Sequence, residues 1–344
     1  MILFTSDYCE GAHPRILENM LHTNLEQNPG YGEDRFCEAA RAHIRRACGD
    51  DTLPVFFLVG GTQANLTVIS AALRPHQGVL AAVSGHINVH ETGAIEATGH
   101  KVLALPSADG KLTAAQVRDY CAQHWNDETH EHIVQPKMVY ISHPTEIGTL
   151  YSADELRDLR AACDACNLLL YLDGARLGYG LTAEGSDITL PLLCECCDAF
   201  YIGGTKVGAL MGEAVCMPRR ALAEDFKYLI KQRGGRLAKG WLLGLQFAAL
   251  FEDDLYFEIG RHANRLAADI RRACEQKGFS FLVPSVTNQQ FPILPDEYLA
   301  RLGDKYGYSY WQRVDETHSA VRFCTSWATR DEDVAALCED ILSL

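Results

Sequence analysis

The chain has 344 residues, of which 47% are hydrophobic and 22% charged, and it carries a formal net charge of −14. This length and composition predict a globular protein with one large core and a smaller second one. No apolar run approaches the roughly 20 residues of a membrane helix, and residues 1–7 lack a basic signal-like segment, so we expect a cytoplasmic protein without a membrane partner. The negative charge also disfavours a nucleic-acid partner, because phosphate binding needs clustered Lys and Arg.

Thirteen cysteines are many for this length, and their odd number leaves at least one unpaired. A long chain without a signal peptide favours free thiols over a disulfide framework. Cys163 and Cys166 continue an apolar stripe with Leu156 and Leu159 on a predicted helix, so we interpret them as buried hydrophobic side chains. We therefore predict no metal site; metal or redox chemistry, here or at the cysteines of residues 194–197, is the alternative.

The chain alternates between predicted strands and helices. Gly60-Gly61-Thr62 leads the first strand into a helix, and two later helices begin at the capping boxes Thr113-x-x-Gln116 and Ser152-x-x-Glu155. The predicted strands occupy residues 54–59, 79–83, 102–105, 137–142, 168–172, 199–202 and 213–217. This pattern predicts an α/β protein with a mainly parallel central sheet flanked by helices.

After about residue 240 the pattern changes. Residues 241–274 are rich in helix-forming residues, with predicted breaks at Asp253-Asp254 and at Gly260, and short strands and turns follow. We predict a large domain over residues 1–250 and a smaller C-terminal α/β domain over residues 251–344; the assignment of the N-terminal segment to either one is left open. Because no flexible linker separates the two parts, we expect them to share an interface.

Charged side chains follow two neighbouring strands of the predicted sheet. Asp173 comes directly after the apolar run 168–172, Arg176 lies three residues later, and Lys206 follows the strand at 199–202. Because the carboxyl ends of parallel strands meet at one edge of a sheet, we expect all three in one crevice. Together they supply a partner for a ring nitrogen, an anchor for a substrate carboxylate and a reactive amine, which are the groups that pyridoxal 5′-phosphate (PLP) requires.

Two further segments fit such a site. Backbone N–H groups of Gly60-Gly61-Thr62 at a helix N-terminus suit a phosphate, although an ordinary tight turn is the alternative for so short a motif. His86 follows another predicted strand, where its ring can stack on a flat cofactor; the alternative is a loop histidine without a special role.

Five motifs follow one another along the chain: residues 30–34 (GYGED), residues 61–66 (GTQANL), His86 with Glu91, residues 172–177 (LDGARL) and Thr205-Lys206. As an ordered set they resemble the threonine aldolase and aromatic β-eliminating lyase family of fold type I PLP enzymes, over nearly the whole chain. Within that family the chain is most similar to low-specificity L-threonine aldolases. The resemblance implies the PLP-dependent transferase fold (aspartate aminotransferase-like), PLP as cofactor, and a homo-oligomer, a dimer or homotetramer, with active sites shared between subunits.

The resemblance also implies roles for individual residues. The implied catalytic residues are Lys206, which bonds to PLP, Asp173, which pairs with the ring nitrogen, and His86, which stacks on the ring. The implied cofactor contacts further include Gly61, Thr62, Arg176, Thr205 and, from a neighbouring subunit, Arg236. The implied substrate contacts are Ser6, Arg176 and Arg322 at the carboxylate, with Tyr31 and Glu146 near the side chain.

Taken singly, the alternative for Asp173 is a helix cap, for Arg176 a surface ion pair, for Arg322 a charge on an edge strand and for Lys206 a solvated lysine. Three more assignments have alternatives. Glu146 stands where many family members have a histidine that is associated with the substrate hydroxyl, and His143 is a second candidate for that role. The segment around Arg236 matches the family loosely, and an exposed charged turn is its alternative; for Tyr31 the alternative is a structural turn residue.

We predict PLP-dependent retro-aldol cleavage of a β-hydroxy-α-amino acid, of the L-threonine or L-allo-threonine type, to glycine and an aldehyde. The base for the β-hydroxyl proton is either His86 or a water held by Glu91 or Glu146. One alternative is a β-eliminating lyase that acts on an amino acid. The other is a non-catalytic binding or regulatory module, which Lys206, Asp173 and Arg176 disfavour because a scaffold needs none of them.

Overall fold

The computed structural model describes residues 1–343. The strands are β1 (Ile2–Leu3), β2 (Val55–Leu58), β3 (Gln77–Ala82), β4 (Val102–Leu105), β5 (Gln135–Ser142), β6 (Leu169–Asp173), β7 (Ala199–Gly203), β8 (Glu213–Cys216), β9 (Gln289–Gln290), β10 (Ile293–Pro295), β11 (Tyr306–Gly307), β12 (Ser309–Arg313) and β13 (His318–Cys324). The helices are α1 (Pro14–Thr23), α2 (Arg35–Cys48), α3 (Gly61–Ala72), α4 (His86–Val89), α5 (Ala114–Asn126), α6 (Ala153–Ala165), α7 (Leu177–Leu181), α8 (Leu190–Cys196), α9 (Phe226–Gln232), α10 (Trp241–Phe251), α11 (Leu255–Gln276), α12 (Asp296–Gly303) and α13 (Asp331–Ser343). Every predicted strand is confirmed to within a few residues.

The central sheet has seven strands in the order β2-β8-β7-β6-β5-β3-β4. The pairs from β7 to β4 are parallel, whereas β8 runs antiparallel to both β7 and β2. Only residues 204–212 connect β7 to β8. Parallel strands need a crossover of about a dozen residues or more, so this short connection forces β8 to reverse direction. The predicted mainly parallel sheet is thus confirmed.

The apolar run of β6 is buried on both faces of the sheet. Leu170 and Leu172 enter one core, whereas Leu169 and Tyr171 enter the other, because successive side chains of a strand point to opposite faces. Helices cover both cores, which explains why the sequence shows an uninterrupted apolar segment rather than alternation.

Local sequence signals are confirmed at several places. Both predicted capping boxes form, at the start of α5 and of α6. Cys163 is buried on α6 beside Leu156 and Leu159, and all thirteen cysteines are free.

Within residues 1–343 the structure shows no group of three or more His, Cys, Asp or Glu side chains that could hold a metal ion. None of the helices in that range has the length and apolar character needed to span a membrane.

One of the two predicted helix breaks is confirmed and the other is wrong. The chain leaves the helical conformation between α10 and α11, where Asp253 and Asp254 have φ of 51° and 63°. Gly260 lies inside α11 without a break. A Cβ atom at Gly260 would lie 2.4 Å from the Gly178 carbonyl oxygen and 2.4 Å from Thr182 Oγ1. The glycine therefore permits close packing of α11 against α7 rather than ending the helix.

The N-terminal segment contacts the C-terminal part of the chain. Strand β1 pairs in parallel with β11, and Phe4 is buried in the same core as the second half of α11 and α13. The first half of α11, by contrast, packs in the core of the central sheet. We propose that α11 links the two predicted domains; the boundary near residue 250 stays a prediction.

Candidate active site

A cavity of about 320 Å³ lies at the carboxyl ends of β5, β6 and β7. Eight of the predicted site residues line this cavity: Gly61, Thr62, His86, Glu146, Asp173, Arg176, Thr205 and Lys206. These eight residues come from five segments of the chain, and Asp173, Arg176 and Lys206 share one crevice as expected. The cavity is also lined by Tyr8, Tyr201 and Glu213, which the sequence did not single out.

Two glycines set the distance between the segments that carry Asp173 and Lys206. A Cβ at Gly174 would lie 2.0 Å from the carbonyl oxygen of Tyr201, and one at Gly203 would lie 2.3 Å from that of Ala175. The amide of Gly203 donates to the carbonyl of Gly174 at 2.9 Å. Real Cβ atoms do not approach so closely, so these positions require glycine for the ends of β6 and β7 to meet.

Asp173 is buried, and four donors surround its carboxylate. Oδ1 accepts from the Tyr201 hydroxyl and from the Ala175 amide at 3.0 Å; Oδ2 accepts from the Tyr140 hydroxyl at 2.6 Å and Asn65 Nδ2 at 3.0 Å. Burial by itself would raise the pKa of Asp173, but the charge of His86 and these hydrogen bonds lower it below its usual value. The carboxylate is therefore ionised and can hold a protonated ring nitrogen.

His86 belongs to the same hydrogen-bond network. Its Nδ1 lies 2.8 Å from Glu91 Oε1, which also accepts from Asn65 Nδ2 at 2.7 Å. Burial opposes protonation of His86, yet the bond to Glu91 and the charge of Asp173 raise its pKa overall. Asn65 thus joins the two carboxylates, and the network holds the imidazole at the wall of the cavity.

Lys206 lies in the turn after β7 and faces several charged groups. Burial, together with the charge of Arg176, lowers the pKa of its amine despite the opposing effect of nearby carboxylates. One of these carboxylates, Glu213, accepts from Thr205 Oγ1 at 2.9 Å and from the Gly204 amide at 3.2 Å, and burial raises its pKa to about 8. Thr205 therefore anchors the turn to β8, and Lys206 has the lowered pKa of a reactive amine.

The glycine turn provides backbone donors at the N-terminus of α3. Gly60 is the N-cap, and no side chain caps this helix. A Cβ at Gly61 would lie 2.9 Å from the Tyr201 hydroxyl, so the absence of a side chain keeps the turn open beside the cavity. Exposed N–H groups and the positive end of the helix dipole suit a phosphate monoester. With the amine and the ionised carboxylate in the same cavity, the donor set fits PLP.

Arg176 is not free to bind a ligand with its whole guanidinium group. Its Nε and Nη2 donate to Asp7 Oδ2 and Oδ1 at 2.7 and 3.0 Å, and Asp7 is completely buried. Burial would raise the pKa of Asp7, but Arg176 lowers it below its usual value. The predicted carboxylate-binding arginine is therefore already paired along one edge, by a residue that the sequence analysis did not consider.

Arg322 and Ser6 lie close to this pair but outside the lining of the cavity. Nη2 of Arg322 donates to the Thr5 carbonyl at 2.7 Å, and Nη1 donates to Gln289 Oε1 at 3.0 Å. The Nε of Arg322 is buried without a hydrogen-bond partner within residues 1–343. Ser6 Oγ lies 3.3 Å from Cys9 Sγ. The segment 5–7 thus connects the two predicted substrate arginines.

Tyr31 and Arg236 lie together in a second, smaller cleft. The guanidinium of Arg236 lies 5.9 Å from the centroid of the Tyr31 ring and pairs with Glu33 at 2.8 Å. Tyr31 is 48% exposed and has a positive φ of 64°. The structure therefore brings these two predicted residues together, but away from the cavity of their own chain.

Glu146 lines the cavity, whereas His143 does not. Glu146 Oε1 accepts from Ser142 Oγ at 2.6 Å and from the His86 amide at 2.9 Å, and its Oε2 is buried without a partner in the described chain. Burial raises the pKa of Glu146. His143 is buried beside Gly180, and burial lowers its pKa to about 4. Of the two candidates from the sequence, only Glu146 therefore lines the cavity.

The residues that sequence analysis missed are held by contacts between distant segments. These residues are Asp7, Asn65, Tyr140, Tyr201 and Glu213. Asp7 directly follows the predicted site residue Ser6, and that position was the available signal for it. Asn65 lies within the motif at residues 61–66, and its position on α3 was the available signal. Glu213 begins a strand that was predicted only for its apolar residues.

Comparisons with known proteins identify the family and the fold of the chain. The sequence model of the family described as beta-eliminating lyase matches residues 4–295. The chain is 30% identical over 341 residues to the low specificity L-threonine aldolase of Pseudomonas aeruginosa, covering 98% of this chain and 96% of that protein.

Solved structures extend the comparison. A threonine aldolase from Leishmania major superposes with a TM-score of 0.96 at 43% identity, covering 99% of this chain and 98% of that one. An aspartate aminotransferase of Thermus thermophilus, 15% identical, superposes with a TM-score of 0.72 over 100% of this chain and 91% of its own, which shows the shared fold. The predicted fold type I architecture is confirmed, and the chain belongs to the beta-eliminating lyase family.

Proposed function

We propose that this protein catalyses PLP-dependent retro-aldol cleavage of a β-hydroxy-α-amino acid, of the L-threonine or L-allo-threonine type, to glycine and an aldehyde. The observation that carries this proposal is one cavity that holds the amine of Lys206, the ionised Asp173 and the partly unsatisfied carboxyl of Glu146. The likeness to proteins named threonine aldolase supports it.

Different residues of the cavity would bind different parts of the cofactor. Lys206 would bond to the aldehyde carbon, Asp173 would pair with the ring nitrogen and His86 would stack on the ring. Gly61 and Thr62 would bind the phosphate, and Thr205 keeps the turn that carries Lys206 in place. When bound, PLP supplies an electron sink for the pair that Cα–Cβ cleavage leaves at Cα.

The chain must also accept a proton from the β-hydroxyl group. As the Cα–Cβ bond breaks, the O–H electron pair forms the carbonyl of the aldehyde, and the proton needs an acceptor. We assign that acceptor to the ionised form of Glu146, whose buried Oε2 makes no hydrogen bond within residues 1–343 and whose raised pKa makes the carboxylate a stronger base than an exposed one. Protonation of Cα then yields glycine.

Arg176 and Arg322 would hold the substrate carboxylate. Charge-assisted pairing with a guanidinium fixes the plane of a carboxylate, and therefore decides which bond at Cα is aligned for cleavage. The segment 5–7 links the two arginines, so the structure supports a joint role for them.

β-Elimination is the second candidate function, and the description of the matching family favours it. We expect incubation with L-threonine, L-allo-threonine and phenylserine to release glycine and an aldehyde. Incubation with tryptophan should release neither indole nor ammonia. Chromatographic assays of the products distinguish the two reactions. Formation of ammonia and a keto acid, with no glycine from any substrate, would show that the protein is a lyase that eliminates at Cβ and not an aldolase.

The cofactor assignment predicts a visible absorption band in the purified protein. Lys206→Ala should abolish the band that arises from PLP bonded to the lysine, because no other amine lines the cavity within residues 1–343. The exposed Lys101→Ala is the matched control and should keep the band. A band that survives in Lys206→Ala would show that a different residue binds PLP.

The role of Glu146 is tested with the isosteric Glu146→Gln. We expect kcat/KM for L-threonine to fall by about 10²-fold or more, since a positioned acid or base contributes about 10²- to 10⁴-fold. The affinity for glycine, which has no β-hydroxyl group, should stay the same and serves as the internal control. Equal losses for threonine and glycine would assign Glu146 a purely structural role.

We further propose that Tyr31 and Arg236 complete the cavity of a neighbouring subunit in a homotetramer or dimer. Their shared position outside their own cavity supports this arrangement. Light scattering should show an oligomer, and Arg236→Ala should weaken PLP binding without loss of fold. A monomer with full PLP affinity would contradict the shared site. The cytoplasmic location stays a prediction from the sequence.

A further inference from the structure

Asp7 makes a buried, two-point ion pair with Arg176. The two carboxylate oxygens accept from Nε and Nη2 at 2.7 and 3.0 Å, and Oδ2 also accepts from Asn288 Nδ2 at 2.9 Å. Asp7 is completely buried and the Arg176 side chain is 13% exposed. A carboxylate with three donors and a guanidinium neighbour is ionised, so the pair is a fixed charge arrangement rather than a surface contact.

This pair decides which part of Arg176 faces a ligand. A guanidinium has two edges that can bind a carboxylate at two points, and Asp7 occupies the edge formed by Nε and Nη2. Nη1 makes no hydrogen bond within residues 1–343, and Arg176 lines the cavity. Asp7 therefore holds the arginine in one rotamer and leaves its far end to the substrate.

The segment that carries Asp7 also contacts the second arginine. The Thr5 carbonyl accepts from Arg322 Nη2 at 2.7 Å, and Ser309 Oγ donates to the same carbonyl at 2.9 Å. Strand β13 supplies Arg322, whereas the turn between β6 and α7 supplies Arg176. Residues 5–7 are thus the one segment, within the described chain, that bonds directly to both guanidinium groups.

We propose that Asp7 is the positioning residue for the substrate carboxylate, acting through the orientation of Arg176. The inference rests on the proposed function, because it takes the amino-acid carboxylate as the ligand of Arg176. It assigns Asp7 no contact with the substrate. Loss of Asp7 should therefore weaken the binding of ligands that carry a carboxylate and leave the binding of a simple amine unchanged.

The test measures the Kd of two ligands for the holoenzyme, from the change in its visible spectrum when each ligand binds. Asp7→Asn should raise the Kd for glycine by about 10- to 100-fold, by analogy with the loss of a residue that orients a metal-binding side chain. The Kd for 2-aminoethanol, which has the amine but no carboxylate, should stay at the wild-type value. An equal rise in the Kd of both ligands would show a general structural role for Asp7 and overturn the inference.

Asp198→Asn is the matched control variant. Asp198 is also a buried aspartate, paired with Arg160 at 2.7 Å. It lies at the amino end of β7, whereas the cavity lies at the carboxyl ends of the strands. Its loss should lower thermal stability and change neither Kd. A rise in the Kd for glycine in Asp198→Asn equal to that in Asp7→Asn would contradict a specific role of Asp7.

Two further results separate the possible failures. If Asp7→Asn does not fold, Asn288→Ala, which removes one donor from Asp7 and keeps its charge, should cause a smaller rise in the Kd for glycine alone. A wild-type spectrum that does not respond to glycine would overturn the proposed function and this inference together. A wild-type response with an unchanged Kd in Asp7→Asn would overturn this inference only.

Discussion

The close approach of two strand ends is the constraint on which the site depends. Gly174 and Gly203 have no Cβ, so the backbone after β6 can lie against the backbone after β7. Asp173 precedes one of these glycines and Lys206 follows the other by three residues. Any side chain at either position would meet a carbonyl oxygen and separate the strand ends, and with them the carboxylate and the amine. The chemistry therefore depends first on the backbone.

Neighbouring positive charges and hydrogen-bond donors together set the charge of the carboxyl groups at Asp7, Asp173, Glu146 and Glu213. Asp7 has three donors and Asp173 has four, and both have lowered pKa values in spite of their burial. Glu213 has one donor on each oxygen, and Glu146 has donors on one oxygen only; burial raises the pKa of both. The same low-dielectric site thus contains two fixed anions and two carboxyl groups that can hold a proton, and this difference separates binding from proton transfer.

Much of the fold could be predicted because its signals are local. The strands before Asp173 and Lys206 are apolar runs, and the capping boxes of α5 and α6 lie within four residues of sequence. The break predicted at Gly260 was wrong because glycine also allows close packing of helices, and only the position of α7 distinguishes the two uses. His143 was a candidate from its spacing, but its side chain is buried and does not line the cavity.

The sequence by itself determined the fold class, the cofactor and the residues that follow the strands of the sheet, since the order of strands places their carboxyl ends at one edge. The family resemblance was carried by the same residues. Only the tertiary structure showed that Asp7 pairs with Arg176, that Glu213 anchors the turn of Lys206, and that Tyr31 lies with Arg236 outside their own cavity. These contacts join residues that are from 8 positions apart, as with Glu213 and Thr205, to 205 positions apart, as with Tyr31 and Arg236. No local pattern records such pairs, because packing of the whole chain brings them together.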